Sequence, residues 1–217
     1  MRNQLIACRS LGVDIRYGEA ADASIVASLR PDAVVIATGA EPARPYWAPG
    51  DEARIVDVVD VVAGAAHPEG RVVVVDELGF HQATSVAELL ADRGCAVSVV
   101  TPGMVVGQDL GITLDLEHWQ VRAAAKGIEQ RTDLVPMGWD AAEGGGGVLH
   151  LLHHPTGGNV DVECDWVVLA VPQQPVEWLY HELAGVAGLE VHRIGDCVAP
   201  RRAHAAVVEG DRVGALL

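Results

Sequence analysis

The segment from Arg71 to Thr101 constrains the fold more than any other part of the chain. Val72 to Val75 form a run of four β-branched residues, preceded by Arg71 and closed by Asp76. A run this short, apolar at every position, fits a strand buried on both faces, as in a parallel sheet. A turn with one glycine, Gly79, follows. Ala83 to Arg93 then sets Val86, Leu89 and Leu90 at helical spacing, with Thr84 or Ser85 in position to cap the start and Gly94 to end it. Cys95 to Val100 returns as a second apolar strand. Strand, turn, helix and strand within about thirty residues make a βαβ unit.

The turn departs from the pattern of a dinucleotide site. That pattern, GxGxxG, uses one glycine for a tight turn, one for close approach of a pyrophosphate and one for helix packing. Here the turn reads Asp76-Glu77-Leu78-Gly79-Phe80-His81. Two of the glycines are absent, and two carboxylates stand where a pyrophosphate would lie, with like charge repelling it. The second strand ends in Thr101-Pro102, without an acid for a ribose hydroxyl or an arginine for a 2′-phosphate. The fold signal is strong and the binding signal weak, so a degenerate scaffold domain stands beside an intact nicotinamide site.

The net charge of −15 argues against partners that need a basic face, namely nucleic acid and anionic membranes. Half of the 217 residues are hydrophobic, enough for a substantial core. Cys8, Cys95, Cys164 and Cys197 are scattered, with no CxxC, and read as reduced thiols of a cytoplasmic protein. No secretory leader or membrane span is evident.

Ahead of the central unit, Gln4 to Leu11 reads as a helix, Val13 to Tyr17 as a short strand, and Asp22 to Leu29 as a helix capped by Asp22. Ala33 to Ala37 reads as a buried strand that runs into Thr38-Gly39. A connecting region with Pro42, Pro45, Pro49 and Pro68 follows, containing a short helix from Asp57 to Ala63. After the central unit, Thr113 to Lys126 has a mostly helical pattern. Leu134 to Trp139, Val148 to His153 and Val160 to Cys164 read as a three-stranded meander with glycine-rich turns. Trp166 to Val171 reads as a further buried strand, Glu177 to Ala184 as a helix, and Val191 to Ile194 as a strand ending in Gly195-Asp196-Cys197. Ala203 to Leu217 forms the last helix.

This order, strand-ATG, βαβ with meander, and strand-GD before a last helix, resembles flavoproteins with two dinucleotide-binding domains. The Asp76–Leu90 stretch and Ile194-Gly195-Asp196-Cys197-Val198-Ala199-Pro200-Arg201 are similar to the C-terminal half of the old-yellow-enzyme-related NADH:flavin oxidoreductases. That group includes 2,4-dienoyl-CoA reductase and trimethylamine dehydrogenase. The Gly107–Gly111 and His153–Gly157 stretches are similar to its mycofactocin-associated members.

The resemblance implies an α/β architecture: a Rossmann-like nucleotide-binding domain with a β-meander, inserted in an incomplete FAD-binding domain. Residues 1–54 are expected to form the remainder of the FAD-type domain and a linker, 55–165 the NAD(P)-binding-like domain, and 166–217 the return to the FAD-type domain. It implies cofactor contacts at Thr38, Gly39, Gly195, Asp196 and Arg201, and a weaker one at Gly79. FAD is the expected cofactor and NAD(P)H a weaker expectation. Family members carry a barrel with FMN and an iron–sulfur cluster ahead of this half. The expected partner is therefore such a domain or chain, with self-association at an unpaired sheet edge. The chain is expected to be the trailing part of a larger oxidoreductase that passes electrons between a nicotinamide and a flavin. The alternative is a non-catalytic scaffold or fragment that docks a barrel-bearing partner. No catalytic residue is assigned. His150, His153, His154 and Cys164 are the residues a zinc site would need, but strand alternation turns His153 away from the other histidines, and no metal is expected. No GxSxG elbow is present.

Overall fold

The computed structural model describes residues 2–48, 50 and 52–217; Pro49 of the proline-rich connection lies outside them. The chain divides into two compact units, one of residues 1–39 and 175–217 and one of residues 40–174.

The larger unit is built on a five-stranded parallel sheet. Its order is Ile55–Asp57, Trp166–Ala170, Arg71–Asp76, Ala96–Val100, Glu129–Arg131. The valine run explains its two-sided burial. Val72 and Val74 pack with helix residues Val86, Leu90, Trp119 and Ala123, while Val73 and Val75 pack with Leu134, Leu149, Leu151 and Val162 of the meander. Alternate side chains point to opposite faces of a strand, so both faces must be apolar. The meander is a three-stranded antiparallel sheet of Leu134–Ala141, Gly147–His153 and Gly158–Cys164. Pro136 sits on its outer strand, next to a register shift between Pro136 and Gly138, where a missing N–H is tolerated.

Trp166–Ala170, expected from sequence in the returning segment, pairs instead in the middle of this sheet, between Ile55–Asp57 and Arg71–Asp76. Asp57 both ends the first strand and caps the helix Val58–Ala63, accepting from Val59 N–H at 2.8 Å, while Asp60 reaches back to the Asp57 N–H. This reciprocal box satisfies two donors that a helix start leaves unpaired.

Several local expectations are corrected. The central helix spans His81–Asp92, and Phe80 precedes it with no side-chain cap. Thr84 lies a turn inside and donates to the Phe80 carbonyl, so neither it nor Ser85 caps the start. The helix expected over Thr113–Lys126 is broken. A 3₁₀ turn covers Gln108–Thr113, Leu114 takes a left-handed φ of 60°, and the α-helix runs over Leu116–Ala125. Val13–Tyr17 forms no strand; Val13 and Tyr17 are exposed. Without a neighbouring backbone to complete a ladder, apolar alternation alone does not make a strand.

The smaller unit pairs Ala33–Ile36 with Glu190–Arg193 in parallel. Of the first strand only Ile36 is buried, and Val35 is exposed. Its core is small: Val26, Ile36, Leu179, Leu183 and Cys197. Asp22 caps the helix Ala23–Leu29 as expected, accepting from Ile25 N–H at 2.9 Å. Among the described residues, the helices Arg2–Ser10 and Ala203–Gly214 bury no side chain. No helix among them is long and apolar enough to cross a membrane.

Candidate functional site

Two parallel strands of the smaller unit end side by side. Ile36 pairs with Arg193, and the Ile194 N–H donates to the Ile36 carbonyl at 3.0 Å. Thr38 and Gly39 therefore leave one strand next to the place where Gly195 and Asp196 leave the other. Ligands of open α/β sheets bind beyond these carboxyl ends. Val176 ties the two exits together. Its carbonyl accepts from the Thr38 hydroxyl and, at 3.3 Å, from the Cys197 thiol; its N–H donates to the Gly39 carbonyl at 3.0 Å.

Gly39 has a φ of 78°, and no atom lies within 4 Å of where a Cβ would stand. Backbone is exposed to approach there, which suits a planar ligand. Gly195, at φ 66°, is buried, and a Cβ would meet the Ala206 Cβ at 3.3 Å. The last helix thus packs directly on this turn. No side chain caps that 12-residue helix at Arg202, leaving first-turn N–H groups for an anionic or polar partner.

Asp196 accepts from the Arg201 N–H at 3.0 Å and is half-buried. One carboxylate oxygen closes the loop, and the other remains able to accept. The exposed Arg201 side chain is engaged locally: Nε donates to the Ala199 carbonyl at 3.1 Å, and the guanidinium pairs with Glu209. Glu209 also accepts from the Gly195 N–H at 2.7 Å. Arg201, and then the Gly195 N–H, hold its carboxyl below the usual range. Glu209 joins the turn, the loop and the helix, and sequence reasoning missed it. The available signal was an acid in the helix following a strand-Gly-Asp turn.

Gly79 belongs to the larger unit. Its N–H donates to Asp76 Oδ1 at 2.7 Å and its carbonyl accepts from Asp109 N–H at 2.8 Å. Asp76 is wholly buried, and that burial pushes its carboxyl pKa up.

The histidines of the meander do not converge. His153 bonds Thr156, His154 bonds the Pro102 carbonyl, and Cys164 is a buried thiol whose pKa is pushed up to about 12 by desolvation. Among the described residues no group of three or more His, Cys, Asp or Glu side chains is placed to hold a metal ion. His150 instead lies between Asp161, at 2.8 Å from Nδ1, and Asp140, at 3.0 Å from Nε2. The hydrogen bond to Asp161, then that to Asp140, raises its pKa. A raised folded pKa favours the folded state fully below the unfolded value of about 6.5, and the contribution is lost as pH rises through the folded value. Proton NMR titration is expected to put the His150 midpoint above 6.5, with Asp161→Asn lowering it; a midpoint at or below 6.5 would refute the pairing.

No family model matches the chain. It is 29% identical to N,N-dimethylglycine/sarcosine dehydrogenase of Chromohalobacter salexigens, across 94% of this chain and 34% of that protein. It is also 29% identical to an NADH oxidase of Thermoanaerobacter brockii, across 85% of this chain and 28% of that protein. The solved structure of 6-hydroxypseudooxynicotine amine oxidase from Pseudomonas geniculata N1 superposes with a TM-score of 0.80 at 27% identity, covering 90% of this chain and 30% of that one. The chain thus spans about a third of the length of the curated relatives it matches. Sequence and fold together match it to the C-terminal part of the old-yellow-enzyme-related NADH:flavin oxidoreductases, the group of 2,4-dienoyl-CoA reductase and trimethylamine dehydrogenase.

Proposed function

We propose that the chain is the flavin-holding segment of a cytoplasmic oxidoreductase that passes electrons between a nicotinamide cofactor and FAD. The observation that carries this reading is the pairing of two strand exits, Thr38-Gly39 and Gly195-Asp196, beneath the uncapped start of the last helix. The residues present fit an FAD. Gly39 leaves open space for the backbone to meet a ring. Asp196 keeps one oxygen for a ribityl hydroxyl, and the helix start offers N–H donors. Arg201, engaged with Glu209, positions the loop. The bound flavin supplies the electron transfer; this chain binds and orients it.

A barrel-bearing domain or chain, or a second copy, is the proposed partner. Exposed Leu5, Ile6, Val207 and Val208 on helices that bury no side chain favour a covering surface. The same observation favours the second reading, a scaffold that docks such a partner and holds no flavin alone.

The test is a visible absorption spectrum of the purified chain with excess FAD, after removal of the unbound part. Retained flavin bands support the first reading and a colourless protein supports the scaffold. Asp196→Ala is expected to weaken FAD binding about tenfold to a hundredfold, since it removes an acceptor from a partly buried polar contact. Unchanged affinity would remove Asp196 from the site.

A further inference from the structure

The turn after Arg71–Asp76 is where a parallel nucleotide-binding sheet would offer amide N–H groups to a pyrophosphate. Here those groups face the chain's own carboxylate. Asp76 is wholly buried; Oδ1 accepts from Gly79 N–H at 2.7 Å and Oδ2 from Gly107 N–H at 3.0 Å. The two donors are 28 residues apart in sequence, so one side chain joins the turn to the loop that follows the next strand. A second tie, Asp109 N–H to the Gly79 carbonyl at 2.8 Å, runs alongside. The loop is also seated by packing. A Cβ on Gly107 would lie 2.9 Å from both Leu110 Cδ1 and Thr84 Cγ2, and Leu110 is fully buried.

We infer that Asp76 is the specificity-determining residue of the larger unit: its carboxylate fills, from within the chain, the seat of a dinucleotide pyrophosphate and closes this end of the sheet to NAD(P)H. The amides that would take a phosphate oxygen are already bonded to an anion, charge-assisted bonds that a ligand would have to replace. An arriving diphosphate also meets the buried charge of Asp76. Burial raises the Asp76 pKa, and the amide bonds oppose that rise by stabilising the carboxylate. This inference narrows the functional reading without resting on it, because it concerns only the turn and loop of the larger unit.

The test titrates the full ¹⁵N-labelled chain with NADH and follows the Gly79 and Gly107 amide resonances, which report on the larger unit whether or not the smaller one holds flavin. In the native chain neither resonance is expected to move at millimolar NADH. Asp76→Gly is expected to gain at least tenfold in affinity, with shifts at Gly79 and at the start of His81–Asp92. Movement of both resonances in the native chain overturns the inference, as does a folded Asp76→Gly variant with no gain. Should Asp76→Gly fail to fold by circular dichroism, Asp76→Asn decides through hydrogen exchange. Asn keeps one acceptor oxygen and turns the other into a donor, so at least tenfold loss of protection at one of the two glycine amides supports the inference, and unchanged protection at both overturns it.

Discussion

Trp119→Ala is expected to destabilise the larger unit by about 3–5 kcal/mol, a large share of the stability of an ordinary domain. Trp119 is fully buried on the helix Leu116–Ala125, in the cluster that packs Val86, Leu90 and Leu110 against Val72 and Val74. Removing the indole deletes the largest fully buried side chain and leaves a cavity that the β-branched strand face cannot collapse into. One term opposes this. The Trp119 Nε1 has no hydrogen-bond partner among the described residues, so truncation also removes an unpaired buried donor. That term separates two variants. Trp119→Phe keeps most of the ring and drops the N–H, and is expected to cost less than about 1.5 kcal/mol. Urea denaturation followed by far-UV circular dichroism measures both. Equal losses for the two variants would mean that shape at this site, rather than buried volume, sets stability.

Much of the larger unit is legible in sequence because its signals are local or doubled. The run Val72–Val75 announces two-sided burial, and the meander is announced by alternation with glycine-rich turns. The place of Trp166–Ala170 is not legible. An apolar run fits any interior position of a parallel sheet, and its partners, Ile55–Asp57 and Arg71–Asp76, lie about a hundred residues away. The break at Leu114 is hidden for a different reason: a leucine with positive φ is contrary to its propensity and is held by the surrounding loop. The candidate site divides the same way. Thr38, Gly39, Gly195 and Asp196 can be named from glycines at strand ends together with the family resemblance. Glu209 cannot, because its role comes from meeting Gly195 and Arg201 in space. The charge of Asp76 is visible in sequence as a departure from a glycine pattern. Part of what makes that charge tolerable, the Gly107 amide, belongs to another loop.

Gly195→Val is expected to disorder the smaller unit while the larger one stays folded. Three costs coincide at this position. The backbone is left-handed, at φ 66°, a conformation a β-branched residue resists. The Cβ would press on the Ala206 Cβ at 3.3 Å, and the two valine methyls extend farther into a helix that is already close. Any shift to relieve that contact pulls the Gly195 N–H from Glu209, and with it the link to Arg201. Together these come to about 2–5 kcal/mol. The unit has little to set against such a loss, with a core of Val26, Ile36, Leu179, Leu183 and Cys197. Limited proteolysis read by mass spectrometry separates the outcomes. Cleavage is expected to rise within residues 1–39 and 175–217, with the segment 40–174 protected as in the native chain. Gly195→Ala, which keeps the strain but adds only the Cβ, is expected to fall between the two. Protection of residues 175–217 in Gly195→Val equal to that of the native chain would show that the turn yields without cost, and would remove the glycine from the argument for a built site.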